Sequence, residues 1–329
     1  MSALLEVSDL RTAFPGPDGP IHVVDGVSFS LAKGEVLALV GESGSDKSMT
    51  ALSTLRLVPK PGRVVEGSVR LAGEELLDLS VTEMRRVRGG RISMIFQEPM
   101  TCLNPVVRVG KQVVEAIRLH ERASVADARE RARALFVEVG IPDPEARLDA
   151  HPHQLSGGLK QRVMIAMALS TRPEILIADE PTTALDVTVQ AQILALLRDL
   201  QRDHDMSSLL ITHDLGIVNE LADRVAVMYA GRLVEVAERT ELLGNPLHPY
   251  TEGLLRSIPA LSPSGAPLPE IPGVVPSPSE WPSGCRFSTR CPLRFEPCAD
   301  RPPRELRPAP DRRVYCHALE DLQSREEGR

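Results

Sequence analysis

The stretch GESGSDKS, Gly41 to Ser48, holds the residues best suited to chemistry on phosphate. In the pattern G-x-x-x-x-G-K-[ST], consecutive backbone N–H groups converge on phosphate oxygens, a curvature that small, permissive residues allow. Gly41, Gly44, Lys47 and Ser48 keep their places, with Glu42, Ser43 and Ser45 between them, and only Asp46 departs, standing where a glycine is expected. Lys47 would neutralise the β and γ phosphates, Ser48 would offer its hydroxyl to Mg²⁺, and the helix that follows would add its positive N-terminal end. Taken alone, the stretch also fits an incidental glycine-rich turn. A carboxylate at position 46 would lie near a triphosphate, and one like-charge pair at roughly 5 Å and an effective dielectric of about 20 costs about 3 kcal/mol. Aspartate tolerates left-handed backbone angles, so the loop is expected to keep its shape while binding weakens.

Two further stretches bear on the same chemistry. ILIADE ends an apolar run with Asp179 and Glu180. That spacing lets one carboxylate hold the water shell of a magnesium ion while its neighbour polarises an attacking water. Two acids at a strand end also serve as a cap for the next helix. LSGGLKQR places Ser156, Gly157 and Gly158 just before the apolar run VMIAMAL, so a hydroxyl and several N–H groups point from a helix start. A plain N-cap before a buried helix has the same composition, and its place shortly before ILIADE is what favours a second phosphate-binding end.

The elements that must position these residues read as an α/β protein, because short apolar runs alternate with amphipathic helical patterns from Leu4 to about residue 260. VLALV, Val36 to Val40, is a buried strand feeding the loop; EILIADE and SLLITHD are two more strands ending in polar residues. In VTVQAQILALLRDLQRDH, residues Val189, Ile193, Leu196, Leu197 and Leu200 share one helical face and read as core. Half of the 28 prolines lie between Pro259 and Pro310, a density that excludes long helices or central strands there. The net charge of -7 gives no reason to expect a nucleic-acid backbone as partner. The opening MSALLEVSDLRTAF alternates like a strand and lacks the layout of a signal peptide, and no apolar run approaches the roughly 18 to 20 residues needed to span a bilayer. A cytoplasmic protein is expected, with any membrane role supplied through a partner.

Together these motifs resemble the nucleotide-binding subunits of ABC transporters: GESGSDKS as Walker A, LSGGLKQR as signature and ILIADE as Walker B. The resemblance extends to Gln97 in IFQEPM as the Q-loop, to TTALD with Asp186 as the D-loop, and to His213 in ITHD as the switch histidine. It implies a P-loop NTPase (RecA-like) α/β domain over 4–258 with a helical subdomain at about 100–160. It also implies two such domains facing head to tail, with ATP between Lys47, Asp179 and Glu180 of one and the signature of the other. Glu180 is then the general base, His213 a contact to the γ phosphate, and Gln97, Ser48 and Asp179 the Mg²⁺ set. Phe14 is either the aromatic platform for adenine or a core residue.

A narrower resemblance, to the oligopeptide and dipeptide (peptide/nickel) importer branch, rests on QEPMTCLNPVVRVGKQ, on HPYT at His248 to Thr251, and on GCRFSTRCPLRFEPC with VYCH. The change of composition after Ile258 places a linker at about 259–280, followed by a small cysteine-containing module at 281–320, and the resemblance covers that tail as well. The partners implied are a second ATPase chain, two membrane permeases and an extracytoplasmic solute-binding protein, with this chain peripheral on the cytoplasmic face of the membrane. Cys285, Cys291, Cys298 and Cys316 have the spacing Cys-x5-Cys-x6-Cys-x17-Cys, wider than zinc-ribbon knuckles. Four thiolates suit either Zn²⁺ or an iron-sulfur cluster. The resemblance implies a [4Fe-4S] cluster at these positions, with zinc or free thiols as the alternatives. Cys102 is expected to pack as a small apolar residue. Two rival functions remain at this point: a regulatory subunit whose own site is degenerate at Asp46, and a soluble ABC ATPase outside transport.

Overall fold

A computed structural model describes residues 3–97, 102–183, 185–257 and 270–321. Residues 259–269 of the linker expected at 259–280 lie outside the described residues. The chain divides into two compact units, one formed by residues 1–31, 36–77 and 211–329 and the other by 32–35 and 78–210.

In the first unit the expected opening strand is Ala3–Gly16, with Leu5 and Val7 buried between exposed Glu6 and Ser8. It pairs antiparallel with Arg63–Leu71, setting Leu5 opposite Leu71 and Val7 opposite Val69. This is the alternation of a sheet with one face on a core and one in water. The second sheet region of this unit is built on Val36–Val40, every residue of which is buried. It runs parallel to Arg224–Tyr229, pairing Leu37 with Arg224 through Val40 with Val227. A strand covered on both faces needs a continuous apolar run rather than alternation, and VLALV supplies it.

The proline-rich C-terminal stretch does not stand apart from this unit. Arg312–Val314 pairs antiparallel with Arg232–Glu238, and Leu306–Ala309 then pairs with Arg312–Val314 as the outermost strand. Pro308 lies in that last strand, the one place in a sheet where a residue without an N–H is tolerated. Phe287 enters the core of the unit, with its ring 5.2 Å from Tyr229 and 5.3 Å from Tyr250. The HPYT stretch forms a helix start: His248 is buried, its Nδ1 accepts from the Tyr250 N–H at 3.1 Å, and Pro249 opens the helix Pro249–Arg256. Burial holds the His248 pKa down, at about 3, so this ring is a neutral acceptor.

The second unit pairs Ile92–Ile95 parallel with Ile175–Asp179, and helices Val109–His120, Val125–Glu138, Gly157–Leu169 and Val187–Asp203 cover its core. Ile193, Leu197 and Leu200 are buried there, with Val189 and Leu196 packed against the same cluster, so the face expected from helical spacing is the face that is covered. No helix among the described residues is long and apolar enough to cross a membrane.

Candidate nucleotide site

The residues singled out in the sequence fall into three groups, each set by a strand end or a helix start. The first is the loop after Val36–Val40. At Gly41 a Cβ would overlap the carbonyl oxygen of Met228, so no other residue fits without moving the neighbouring strand. Gly41→Ala is accordingly expected to destabilise the fold by about 1–3 kcal/mol, seen as a lower denaturant midpoint. An unchanged midpoint would show that the strand yields without cost. The Ser45 N–H and hydroxyl both donate to the Glu42 carbonyl, at 3.2 and 2.7 Å. Lys47, buried, donates from Nζ to the carbonyls of Gly41 (2.7 Å) and Glu42 (2.9 Å) and to Ser45 Oγ (3.3 Å). Its ammonium thus lies over the loop, inside the curve of the backbone. Ser43 and Gly44 are exposed, and Ser48 is half-buried in the first turn of the helix Lys47–Thr54.

Asp46 occupies the left-handed region at φ 68° and ψ 28°, the conformation a glycine would take there. The loop keeps its shape with the acid in place, as expected from the tolerance of aspartate for these angles. The side chain makes no capping hydrogen bond to the helix it precedes. Burial raises its pKa to about 6, against the opposing pull of Lys47 and Arg286. The carboxyl is therefore ionised above about pH 6 and neutral below.

The second group lies in the other unit, at the end of Ile175–Asp179. Asp179 is 4% exposed, and Glu180 follows it half-buried at φ 45°. A glutamate at that angle is strained by on the order of 1–3 kcal/mol, a cost found where geometry serves a site. Gln97 Nε2 donates to Glu180 Oε2 at 2.9 Å, and Thr183 Oγ1 donates to the same oxygen at 2.8 Å. Two residues singled out on separate motifs are thus brought into contact, because Ile92–Ile95 and Ile175–Asp179 are paired and both chain ends leave on the same side. Thr183 stands in the TTALD motif three residues after Glu180, and a hydroxyl at that spacing is the one sequence signal for this contact.

The third group is the start of Gly157–Leu169. Ser156 caps it, with Oγ accepting from the Leu159 N–H at 3.3 Å. A Cβ at Gly158 would come within 2.7 Å of Val189 Cγ1, so this glycine is required by packing against Val187–Asp203. Asp186 caps that second helix, its Oδ1 accepting from the Val189 N–H at 2.9 Å. Both helix starts expected to serve phosphate or the dimer are thereby fixed by ordinary capping.

Phe14 is half-buried, with its ring packed over Gly62, where a Cβ would approach to 2.5 Å. His213 is exposed, directly after the strand Ser207–Thr212, and Asp214 beside it caps the helix Leu215–Leu221 through the Gly216 N–H at 2.7 Å.

The cysteines require a correction. Cys298 and Cys316 are buried and Cys285 and Cys291 half-buried, but among the described residues no group of three or more His, Cys, Asp or Glu side chains is placed to hold a metal ion. The expected [4Fe-4S] or zinc set does not appear as a coordination set. The thiols do lie near one another. Burial pushes Cys285 up to about 12, and the neighbouring thiols Cys298, Cys316 and Cys291 add to it. Cys285 and Cys291 pack against the apolar cluster that includes Phe287, Tyr229 and Tyr250, a setting that favours the protonated thiol over the thiolate a metal needs. Cys102, expected to be packed away, is exposed.

Comparison with known proteins decides the family. Residues 24–183 match the family described as ABC transporter, and residues 234–298 match the oligopeptide/dipeptide transporter C-terminal region. Over 98% of each chain the sequence is 49% identical to the oligopeptide transport ATP-binding protein AppD of Bacillus subtilis. The chain belongs to the ABC transporter ATP-binding family. It is 46% identical to the dipeptide transport ATP-binding protein DppD of Escherichia coli over 96% of each chain. Among solved structures, the dimeric bacterial ABC transporter cassette MJ0796 is similar with a TM-score of 0.64 at 25% identity, covering 71% of this chain and 98% of that one. This ABC protein is therefore an ATPase with the α/β fold of P-loop NTPases.

Proposed function

We propose that this chain is the ATP-hydrolysing subunit of an importer for peptides or similar small solutes, peripheral on the cytoplasmic face of the membrane. Its partners are a second ATPase chain, two permeases and an extracytoplasmic solute-binding protein. The observation that carries this reading is similarity along almost the whole chain, including the C-terminal region, to relatives named for oligopeptide and dipeptide transport.

In this reading Gly41–Ser48 wraps the phosphates of ATP, with backbone N–H groups and Lys47 offsetting their charge, and Phe14 lies beside adenine. The donors fit Mg²⁺, which takes oxygen ligands and is commonly held by one or two carboxylates together with substrate phosphates. The Ser48 hydroxyl, the buried Asp179 carboxylate and the Gln97 amide would hold the ion, which when bound supplies charge neutralisation at the phosphates. Glu180, held by Gln97 and Thr183, accepts a proton from the attacking water. The water oxygen forms a bond to the γ phosphorus, the bond from that phosphorus to the bridging oxygen breaks, and ADP leaves with the electron pair. His213 steadies the γ phosphate, while Ser156, Gly157 and Gly158 complete the site of the partner chain, with Asp186 near the junction of the two. No metal is assigned to Cys285, Cys291, Cys298 and Cys316.

One observation favours a second reading, a regulatory subunit that binds nucleotide poorly and completes its partner's site. Asp46 places a partly buried carboxyl beside Lys47 in the phosphate loop. The transport reading is tested by solubilising membranes that contain the tagged chain and purifying it under gentle detergent. Integral membrane subunits are expected to come with it, and recovery of the chain without any membrane protein would overturn the reading in favour of a soluble ABC ATPase.

A further inference from the structure

The phosphate loop is gripped at two points by the C-terminal stretch 270–321. Arg290, whose side chain is 3% exposed, meets Glu42 as a fork, Nη1 to Oε2 at 2.7 Å and Nη2 to Oε1 at 3.0 Å. The same guanidinium donates from Nε to the Pro272 carbonyl at 2.7 Å and from Nη2 to the Ile271 carbonyl at 3.0 Å. On the other side of Glu42, its backbone N–H donates to the Tyr250 hydroxyl at 2.8 Å. The second grip is less direct. Arg286, stacked 3.5 Å over the Trp281 ring, donates to the Ala230 carbonyl and to Asp25. The next residue, Gly231, donates its N–H to the Ser45 carbonyl at 3.2 Å.

Exposed ion pairs contribute little, but a bidentate arginine pair shielded from water on one side fixes geometry as well as adding energy. What it fixes here is the residue whose carbonyl accepts from both Lys47 Nζ and Ser45 Oγ. A shift of Glu42 would move the lysine and the curve of the loop together.

We propose that Arg290 is a positioning residue for nucleotide binding: by clamping Glu42 it orients Lys47, so the cysteine-bearing C-terminal stretch sets the affinity of the phosphate loop. The proposal rests on the reading of Gly41–Ser48 as the ATP loop. It is tested on the full-length chain by titration with ATP and Mg²⁺ and by steady-state ATPase rates. The variants are Arg290→Lys, which keeps the charge and loses the fork, Glu42→Gln, which keeps the shape and loses the charge, and the two combined. Each single change is expected to raise the Kd and KM for ATP by about five- to twentyfold with kcat within about twofold, and the double variant to be no weaker than the weaker single one. A purely structural role would lower the folded fraction and leave the Kd of the folded protein unchanged, and that result, or strict additivity in the double variant, overturns the proposal. Lys47→Ala separates the two levels. If it abolishes binding while both single variants stay within about twofold of the unaltered chain, only the role of Arg290 falls. If Lys47→Ala binds ATP normally, the loop reading falls and takes the proposal with it.

Discussion

Replacing Glu180 by glutamine in the assembled complex is expected to lower kcat for ATP hydrolysis by about 10²- to 10⁴-fold, the usual contribution of a general base. Nucleotide affinity should stay within a few-fold, because an amide oxygen still accepts from Gln97 Nε2 and Thr183 Oγ1, the two donors that hold the carboxylate at 2.9 and 2.8 Å. What disappears is the capacity to take a proton from water. Steady-state hydrolysis measured beside nucleotide binding separates these effects. A full rate in the variant complex would mean that this chain's own site is idle and that the regulatory reading holds. The strained backbone at Glu180, φ 45°, makes the site sensitive to how the side chain is presented, so the amide is a cleaner test than alanine.

Asp46→Gly is expected to tighten ATP binding by about ten- to a hundredfold at neutral pH. The upper figure follows from removing one like-charge pair of about 3 kcal/mol at roughly 5 Å and an effective dielectric of about 20. The lower figure allows for Lys47 and Arg286, which already offset part of the charge on this carboxyl. Glycine takes the observed φ of 68° without strain, so the loop should not change shape. The sign with pH follows from the raised pKa of Asp46. The carboxyl is neutral below about pH 6 and the advantage of the variant should shrink there, while above that value the charge is present and the advantage is full. Calorimetric titration of both proteins with ATP and Mg²⁺ reads this directly. Equal affinities would sink the idea that Asp46 weakens the site.

The parts of the site carried by one continuous segment were legible in the sequence, since local pattern and local structure coincide there. VLALV needed only its uninterrupted apolar run to be read as a strand buried on both faces, and the serine before two glycines needed only the apolar run behind it to be read as a helix cap. The left-handed angle at Asp46 is one that the residue type tolerates. The C-terminal stretch was harder. Its prolines predict neither long helices nor central strands, and its two short strands pair at the edge of the first unit's sheet while Phe287 enters that unit's core. Proline density reports where regular structure is costly. It carries no information about which distant strand is waiting to be paired.

The sequence by itself determined the fold class, the glycine-rich loop after Val36–Val40, the acid pair at a strand end and the capped glycine helix, because each depends on the period of apolar residues and on the spacing of polar ones within a short window. Only the tertiary structure decided which of them meet. Gln97 reaches Glu180 across 83 residues because two parallel strands end side by side, and Arg290 reaches Glu42 across 248 residues because the C-terminal stretch folds back over the loop. It also left Cys298 and Cys316 buried and Cys285 and Cys291 half-buried, without arranging the four as a coordination set. Contacts of this kind are fixed by packing and by the pairing of remote backbone. Those depend on the whole chain at once, so no local pattern records them.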